Sequence, residues 1–197
     1  MGIDVSKVYM PEPVQDATTG AIQAAPVGTA LPTSAREKLS TPWVDAIGYV
    51  GSDGVTISGI VAAGDILRDW GLSPIRVGKG EAEPTIQIPA IQVDETLLQL
   101  IVGKENVAKV AATASAGEQL TAGFNGEPGP SNAMALSMKD ENRRVRIFLP
   151  NAQVTELDDI NPLPSDGMAF NATFSLNADE SGKFIYFIFD NGKVESA

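Results

Sequence analysis

The chain has 197 residues, enough for a single hydrophobic core, and its 43% hydrophobic and 20% charged content is that of a folded domain. It has neither cysteine nor histidine, which excludes disulfides, thiolate metal sites and thiol nucleophiles and removes the commonest general base. A net charge of -11 argues against a Lys/Arg cradle that holds nucleic-acid backbone by counterion release.

Residues 1–42 contain Pro11, Pro13, Pro26, Pro32 and Pro42 with no sustained apolar period, and are expected to form an extended N-terminal arm. Within it, Ser34 with Glu37 three residues on predicts a capping box and one or two helical turns. The opening Met1-Gly2-Ile3-Asp4 lacks a signal-peptide pattern, which predicts synthesis in the cytoplasm. No apolar run, Phe184 to Phe189 included, approaches the ~20 residues of a membrane-spanning helix.

From residue 43 to 197 short β-type runs alternate with turn signals, predicting one mainly β domain. Val44 to Val50 and Val55 to Ile57, separated by Ser52-Asp53-Gly54, read as a hairpin. Residues 59–80 carry six glycines and prolines that punctuate any strand, so a long loop or distorted hairpin is expected there. Thr85 to Ile91 alternates but contains Pro89, which points to a sheet edge or a bulge. Residues 94–102 form the best helix: Asp94 caps it, Val93 and Leu98 suit a hydrophobic staple, Gly103 ends it, and Leu97, Leu98, Ile101 and Val102 share a stripe.

Val107 to Leu120 is ambiguous and Gly123 to Pro130 reads as a loop. Met134, Leu136 and Met138 alternate, as do Val145, Ile147 and Leu149, predicting two antiparallel strands joined through Asp140-Glu141-Asn142. Met168 to Leu176 gives the cleanest alternation, and Asp179-Glu180-Ser181-Gly182 then turns the chain into Phe184 to Phe189. That last run is apolar on both faces. It is either a central strand covered by the opposite sheet and the helix, or an interface with a neighbouring subunit.

Chemistry finds little purchase. Gly78-Lys79 and Gly103-Lys104 lack the rest of a phosphate-binding loop, and no dinucleotide fingerprint or serine nucleophile motif is present. Asp158 and Asp159 are adjacent, so on a strand they would point to opposite faces, and a solvated turn is the simpler reading. Asp179-Glu180 lacks the spacing of a calcium loop. Arg143, Arg144 and Arg146 form the basic cluster of this acidic chain, serving either as a solvated strand end or as ion-pair partners for another subunit. No catalytic, cofactor-binding or metal-binding residue is assigned and no cofactor is expected.

Ala25-Pro26-Val27-Gly28-Thr29-Ala30-Leu31-Pro32 followed by Trp43-Val44-Asp45-Ala46-Ile47-Gly48-Tyr49-Val50-Gly51-Ser52-Asp53-Gly54-Val55 resembles the N-terminal region of major tail proteins, the tail tube proteins of long-tailed, siphovirus-type phages of actinobacteria. Asp65-Ile66 with Trp70-Gly71, Ile75-Arg76-Val77, and the helix ending at Gly103 fit the same order. The resemblance covers about residues 24 to 107 and weakens toward Phe189. It implies a β-sandwich or barrel-like tail tube fold with one short flanking α-helix, and a structural virion protein rather than an enzyme. Its implied assembly is hexameric rings stacked into a tail tube that houses the tape measure protein, conducts DNA at ejection, and meets tail terminator and tail tip proteins.

The same resemblance implies that the arm and the 59–80 loop touch neighbouring subunits. With the arginine cluster and the last strand, this gives a candidate interface of Pro26, Leu31, Pro32, Trp70, Arg143, Arg144, Arg146, Phe187 and Phe189. Only Asp190 to Ala197 follow Phe189, so no decoration domain is expected. A monomeric carbohydrate- or lipid-binding β-barrel is the alternative, though 6% aromatics is sparse for sugar stacking. A carboxylate-based hydrolase is a third reading.

Overall fold

The computed structural model describes residues 3–14, 20–160, 162 and 167–193. The expected arm and C-terminal tail therefore lie partly outside the described residues. The chain is mainly β, with strands β1 (Glu12–Pro13), β2 (Ile22–Pro26), β3 (Val44–Ile47), β4 (Thr56–Ser58), β5 (Ala63–Arg68), β6 (Pro74–Lys79) and β7 (Thr85–Ala90). Helix α1 (Glu95–Val102) comes next, then β8 (Val107–Val110), β9 (Gln119–Ala122), β10 (Ser131–Asp140), β11 (Arg143–Leu157), β12 (Phe170–Leu176) and β13 (Tyr186–Asp190). All the pairings among these strands are antiparallel.

Nine strands make one sheet in the order β3-β2-β10-β11-β12-β7-β4, with β1 added to β10 and β13 to β11. The two ends of this path approach each other, because Val50, just past β3, forms a bridge with Ala90 of β7. The sheet thus curls around its apolar face without closing as a continuous barrel. Ile22, Ile47, Ile86, Ile88, Met134, Leu149 and Phe174 fill the interior with almost no exposure.

Helix α1 packs into the same core through Leu97, Leu98, Leu100 and Ile101. Asp94 caps it as expected, its Oδ1 accepting the Leu97 N–H at 2.9 Å. Val93 is 41% exposed, so the expected staple contributes little. Gly103 ends the helix at φ 89, ψ 149, outside the left-handed helical well but still at a positive φ that glycine adopts without a Cβ clash.

The β10–β11 hairpin forms as the alternation predicts, with Asp140 opposite Arg143. At Pro150 the register slips by one residue, since Asn132 faces Ala152 while Met134 faces Leu149. Proline cannot donate to a ladder and settles in such a bulge. β11 changes neighbour at this bulge: Arg144 to Phe148 pair with β13, and Ala152 to Leu157 pair with β12.

The expected hairpin between Val44–Val50 and Val55–Ile57 does not form. β3 pairs with β2, β4 pairs with β7, and the chain from Val50 to Ser58 runs along β7, with the turn closed by Gly54 N–H to Gly51 O as an excursion from that path. Pro89 supplies the reason. Gly51 donates to the Pro89 carbonyl at 2.7 Å, but Pro89 has no N–H to return, so the Gly51 carbonyl accepts from Gly54 instead. β7 consequently lies inside the sheet, between β12 and β4, and not at its edge.

Within residues 1–42, β2 is an interior strand between β10 and β3, and Ala21, Ile22, Ala24 and Ala25 are buried. The predicted helix at Ser34 is a turn instead: Glu37 folds back to accept from the N–H and hydroxyl of Thr33. Leu97→Ala is expected to cost about 2–5 kcal/mol by leaving a cavity, against about 1 kcal/mol for Asp94→Ala, which removes one cap bond. Urea unfolding of the two variants checks the ranking, and equal losses would mean that α1 is held by its cap rather than by the core.

Candidate subunit interface

β5 and β6 form a two-stranded sheet separate from the main one, distorted by register breaks at Ala63/Ile66 and Leu67/Arg68. This is the distorted hairpin expected of residues 59–80. Gly64 allows the close cross-strand approach, since a Cβ there would lie 2.5 Å from the Lys79 carbonyl. The tip is well tied: Asp69 Oδ1 accepts the Ser73 N–H at 2.8 Å, the Leu72 N–H reaches the Asp69 carbonyl, and Arg68 donates to the Leu72 carbonyl. Leu72 is held at φ 64. The hairpin is apolar yet exposed, with Leu67, Leu72, Ile75 and Val77 all more than half exposed and Trp70 at 102%. A lone two-stranded hairpin is marginal in water and rarely carries so much apolar surface without a partner for it.

β13 is a sheet edge paired with β11 alone. Its Phe187 and Phe189 rings stack at 6.2 Å and are 46% and 60% exposed. The reading of this strand as centrally buried therefore fails in the single chain, and its outer face is an exposed apolar surface. Tyr9 packs on Phe189 at 5.6 Å. Arg143 holds Tyr9 there, its guanidinium 4.7 Å from the ring centre while it donates to the Val8 carbonyl and pairs with Asp140 at 2.6 Å.

The other two arginines of the cluster also have partners in their own chain. Arg146 is 4% exposed and donates to Ser137 Oγ, the Ser34 carbonyl and the Glu37 carbonyl. Burial pushes its pKa down, partly opposed by Glu37. Arg144 donates to the carbonyls of Glu141 and Arg143. Arg36 completes the arrangement by pairing with Asp190 at 2.7 Å and bonding the Asn142 carbonyl. Residues 33–38 are thereby strapped across the outer face of β10 and β11.

Where β11 leaves β13 for β12, the divergence opens a cleft of about 510 Å³. Val27, Leu31, Phe148 and Pro150 give it apolar walls. One rim is the Pro26–Thr29 turn, closed by both the N–H and the hydroxyl of Thr29 on the Pro26 carbonyl. The other is built on Asp179, which accepts from Ser181 and Lys183 N–H and, at 2.5 Å, from the Tyr186 hydroxyl. Asn151 is among the residues that line it; its Oδ1 is buried away from solvent and has no hydrogen-bond partner among the described residues.

Of the nine expected interface residues, Pro26, Leu31, Trp70, Phe187 and Phe189 are exposed, Arg143 and Arg144 are half-buried, and Pro32 and Arg146 are buried. They lie on the hairpin, the β13 edge and the cleft rim, not on one patch. The cleft itself escaped the sequence reading, although Pro150 inside an alternating strand is a signal for the bulge that creates it. Asp158 accepts from Gln87 at 2.8 Å, Asp159 is exposed, and no group of three metal-binding side chains occurs among the described residues. No described helix is long and apolar enough to cross a membrane.

Asp179 is held at about 2, below its ordinary 3.8, first by the Tyr186 hydroxyl and then by the Lys183 and Ser181 donors. Because the folded pKa is depressed, this stabilisation is present above about pH 4 and is lost as the pH falls toward 2. The thermal midpoint of Asp179→Asn is expected to fall below that of the wild type at pH 6 and to converge with it near pH 2. A constant gap across that range would show that the carboxylate charge is not what holds the turn.

The family model described as Phage tail tube protein matches residues 11–197, nearly the whole chain. A search of curated protein sequences finds no match.

Proposed function

The chain belongs to the phage tail tube protein family, and from that premise we propose that it is a structural subunit of a siphovirus-type tail of an actinobacterial phage. It assembles as hexameric rings stacked into the tube, whose lumen houses the tape measure protein and later conducts DNA. The observation that carries this reading is the β5–β6 hairpin, an ordered element with its apolar side chains in solvent, which suits a surface that a neighbouring copy covers. The exposed β13 edge with Phe187 and Phe189 supports it, because an unpaired apolar edge is otherwise an aggregation hazard.

The charge of -11 fits a conduit through which DNA passes without being gripped. In this reading the subunit is made in the host cytoplasm, ends in the virion tail, meets tail terminator and tail tip proteins, touches no membrane and catalyses nothing. The contact-making arm is the segment that precedes β2, since β2 belongs to the core sheet, and residues 43–197 with β2 make up the tube domain. A monomeric ligand-binding protein has no use for the hairpin.

Negative-stain microscopy of the concentrated protein is expected to show hollow tubes or six-membered rings. A chain that stays monomeric under every condition would overturn the proposal. Leu67→Asp with Ile75→Asp is expected to leave the thermal midpoint nearly unchanged, because both side chains are already exposed, and to abolish tubes. Removing residues 1–14 is expected to leave a folded domain that forms no long tubes, whereas tubes of ordinary length would dismiss the arm.

A further inference from the structure

The sequence holds two Asn-Gly pairs, Asn125-Gly126 and Asn191-Gly192, and glycine is the residue whose backbone nitrogen is least hindered from attacking the side-chain amide before it. The fold treats the two pairs differently. Asn125 and Gly126 are both exposed in the loop between β9 and β10. Gly126 stands at φ 80 with nothing within 4 Å of where a Cβ would lie, and its N–H has no hydrogen-bond partner among the described residues. Gly192 is half-buried, its N–H donates to Asp190 Oδ1 at 2.8 Å, and a Cβ there would lie 2.8 Å from the Asn142 carbonyl oxygen. We infer that Asn125 is a site of spontaneous modification, its amide lost to intramolecular attack by the Gly126 nitrogen, and that the fold withholds the same reaction from Asn191.

The reaction needs only the loop and water. The Gly126 nitrogen, after giving its proton to solvent base, forms a bond to Asn125 Cγ; the Cγ–Nδ2 bond breaks, Nδ2 leaves as ammonia, and a cyclic imide closes. Water then opens the ring at either carbonyl, giving aspartate or, with the backbone rerouted through the side chain, isoaspartate. The Glu127 N–H donates to Asn125 Oδ1 at 3.1 Å, where negative charge gathers during the attack, and the open space around Gly126 permits the backbone rotation that brings its nitrogen onto Cγ. At Asn191 the Lys193 N–H makes the equivalent bond to Oδ1 at 3.0 Å, so the difference lies in the attacking nitrogen and not in the amide attacked. The consequence is local. Asn125 Nδ2 donates to Glu127 Oε2 at 3.0 Å, and the product carries a carboxylate in its place, so repulsion replaces that bond in a cleft that Glu156 also lines.

The inference does not depend on the tube reading. The purified whole chain is incubated at mildly alkaline pH and its peptides are mapped by mass spectrometry. The amide-to-acid mass increase is expected at Asn125, as a mixture of aspartate and isoaspartate. Asn191 is expected to react roughly tenfold to a hundredfold more slowly, the factor set by breaking a hydrogen bond to a carboxylate. In denaturing urea the two rates are expected to converge. Asn125→Gln, whose longer side chain would have to close a larger ring, is expected to remove the acidic species that accumulates on ion exchange while leaving the thermal midpoint unchanged. An Asn125 that keeps its amide, or acidic species that accumulate equally in Asn125→Gln, would overturn the site. Equal rates at the two asparagines in the folded chain, or the same gap persisting in urea, would overturn the role given to the fold.

Discussion

The ladder between β10 and β11 is the element to which the rest of the fold is attached. β11 is fifteen residues long and serves two neighbours in succession, while β10 carries β2 at one end and β1 at the other. Both strands are buried on both faces through Ala133–Leu136 and Val145–Pro150. One face is the core, where burial of each large aliphatic side chain stabilises by about 1.5–3 kcal/mol. The other needs a second cover, and the chain before β3 supplies it.

That cover is polar in its fastening and apolar in its contact. Phe148 meets Trp43 and Tyr186 with ring centres 6.0 Å apart, while Arg146 and Arg36 tie residues 33–38 over the same face. The Arg146 charge is costly to bury, which makes its bonds to two backbone carbonyls and a hydroxyl a requirement. The exposed Arg36–Asp190 pair adds less, being open to solvent screening. Together they place β13 and its exposed phenylalanines beside the strap, so the outer surface of the subunit is itself a consequence of how the β10–β11 ladder is covered.

A domain of this size need not leave six large apolar side chains exposed on one hairpin, and the Trp70 tip adds no packing to its own core. The divergence of β11 at Pro150 opens a cleft beside it. Within a subunit the exposed hairpin is a cost, and an assembly that buries it makes its apolar surface part of the association free energy. The family to which the chain belongs assembles as a tube, and the surplus apolar surface is what a subunit of such an assembly must carry.

Elements set by local patterning were legible in the sequence. The period-two alternation of β10, β11 and β12 and the Asp94 cap of α1 are decided by neighbours within a few residues, and so is the turn chemistry of Ser52-Asp53-Gly54. Apart from the β10–β11 hairpin, whose strands are joined by one turn, which strand each run would pair with was not, because pairing depends on partners far along the chain. The Gly51–Gly54 turn forms, yet Pro89, which lacks a donor, decides that it is an excursion along β7 and not a hairpin. Ile22 to Pro26 looks like arm because five residues show too little period, and only the gap between β10 and β3 makes it core. The apolar composition of Phe184 to Phe189 and the clustering of three arginines were visible as features, but their roles required the fold. Which phenylalanines face solvent follows from β13 lying at an edge, and the partners of Arg146 follow from a strap more than a hundred residues earlier.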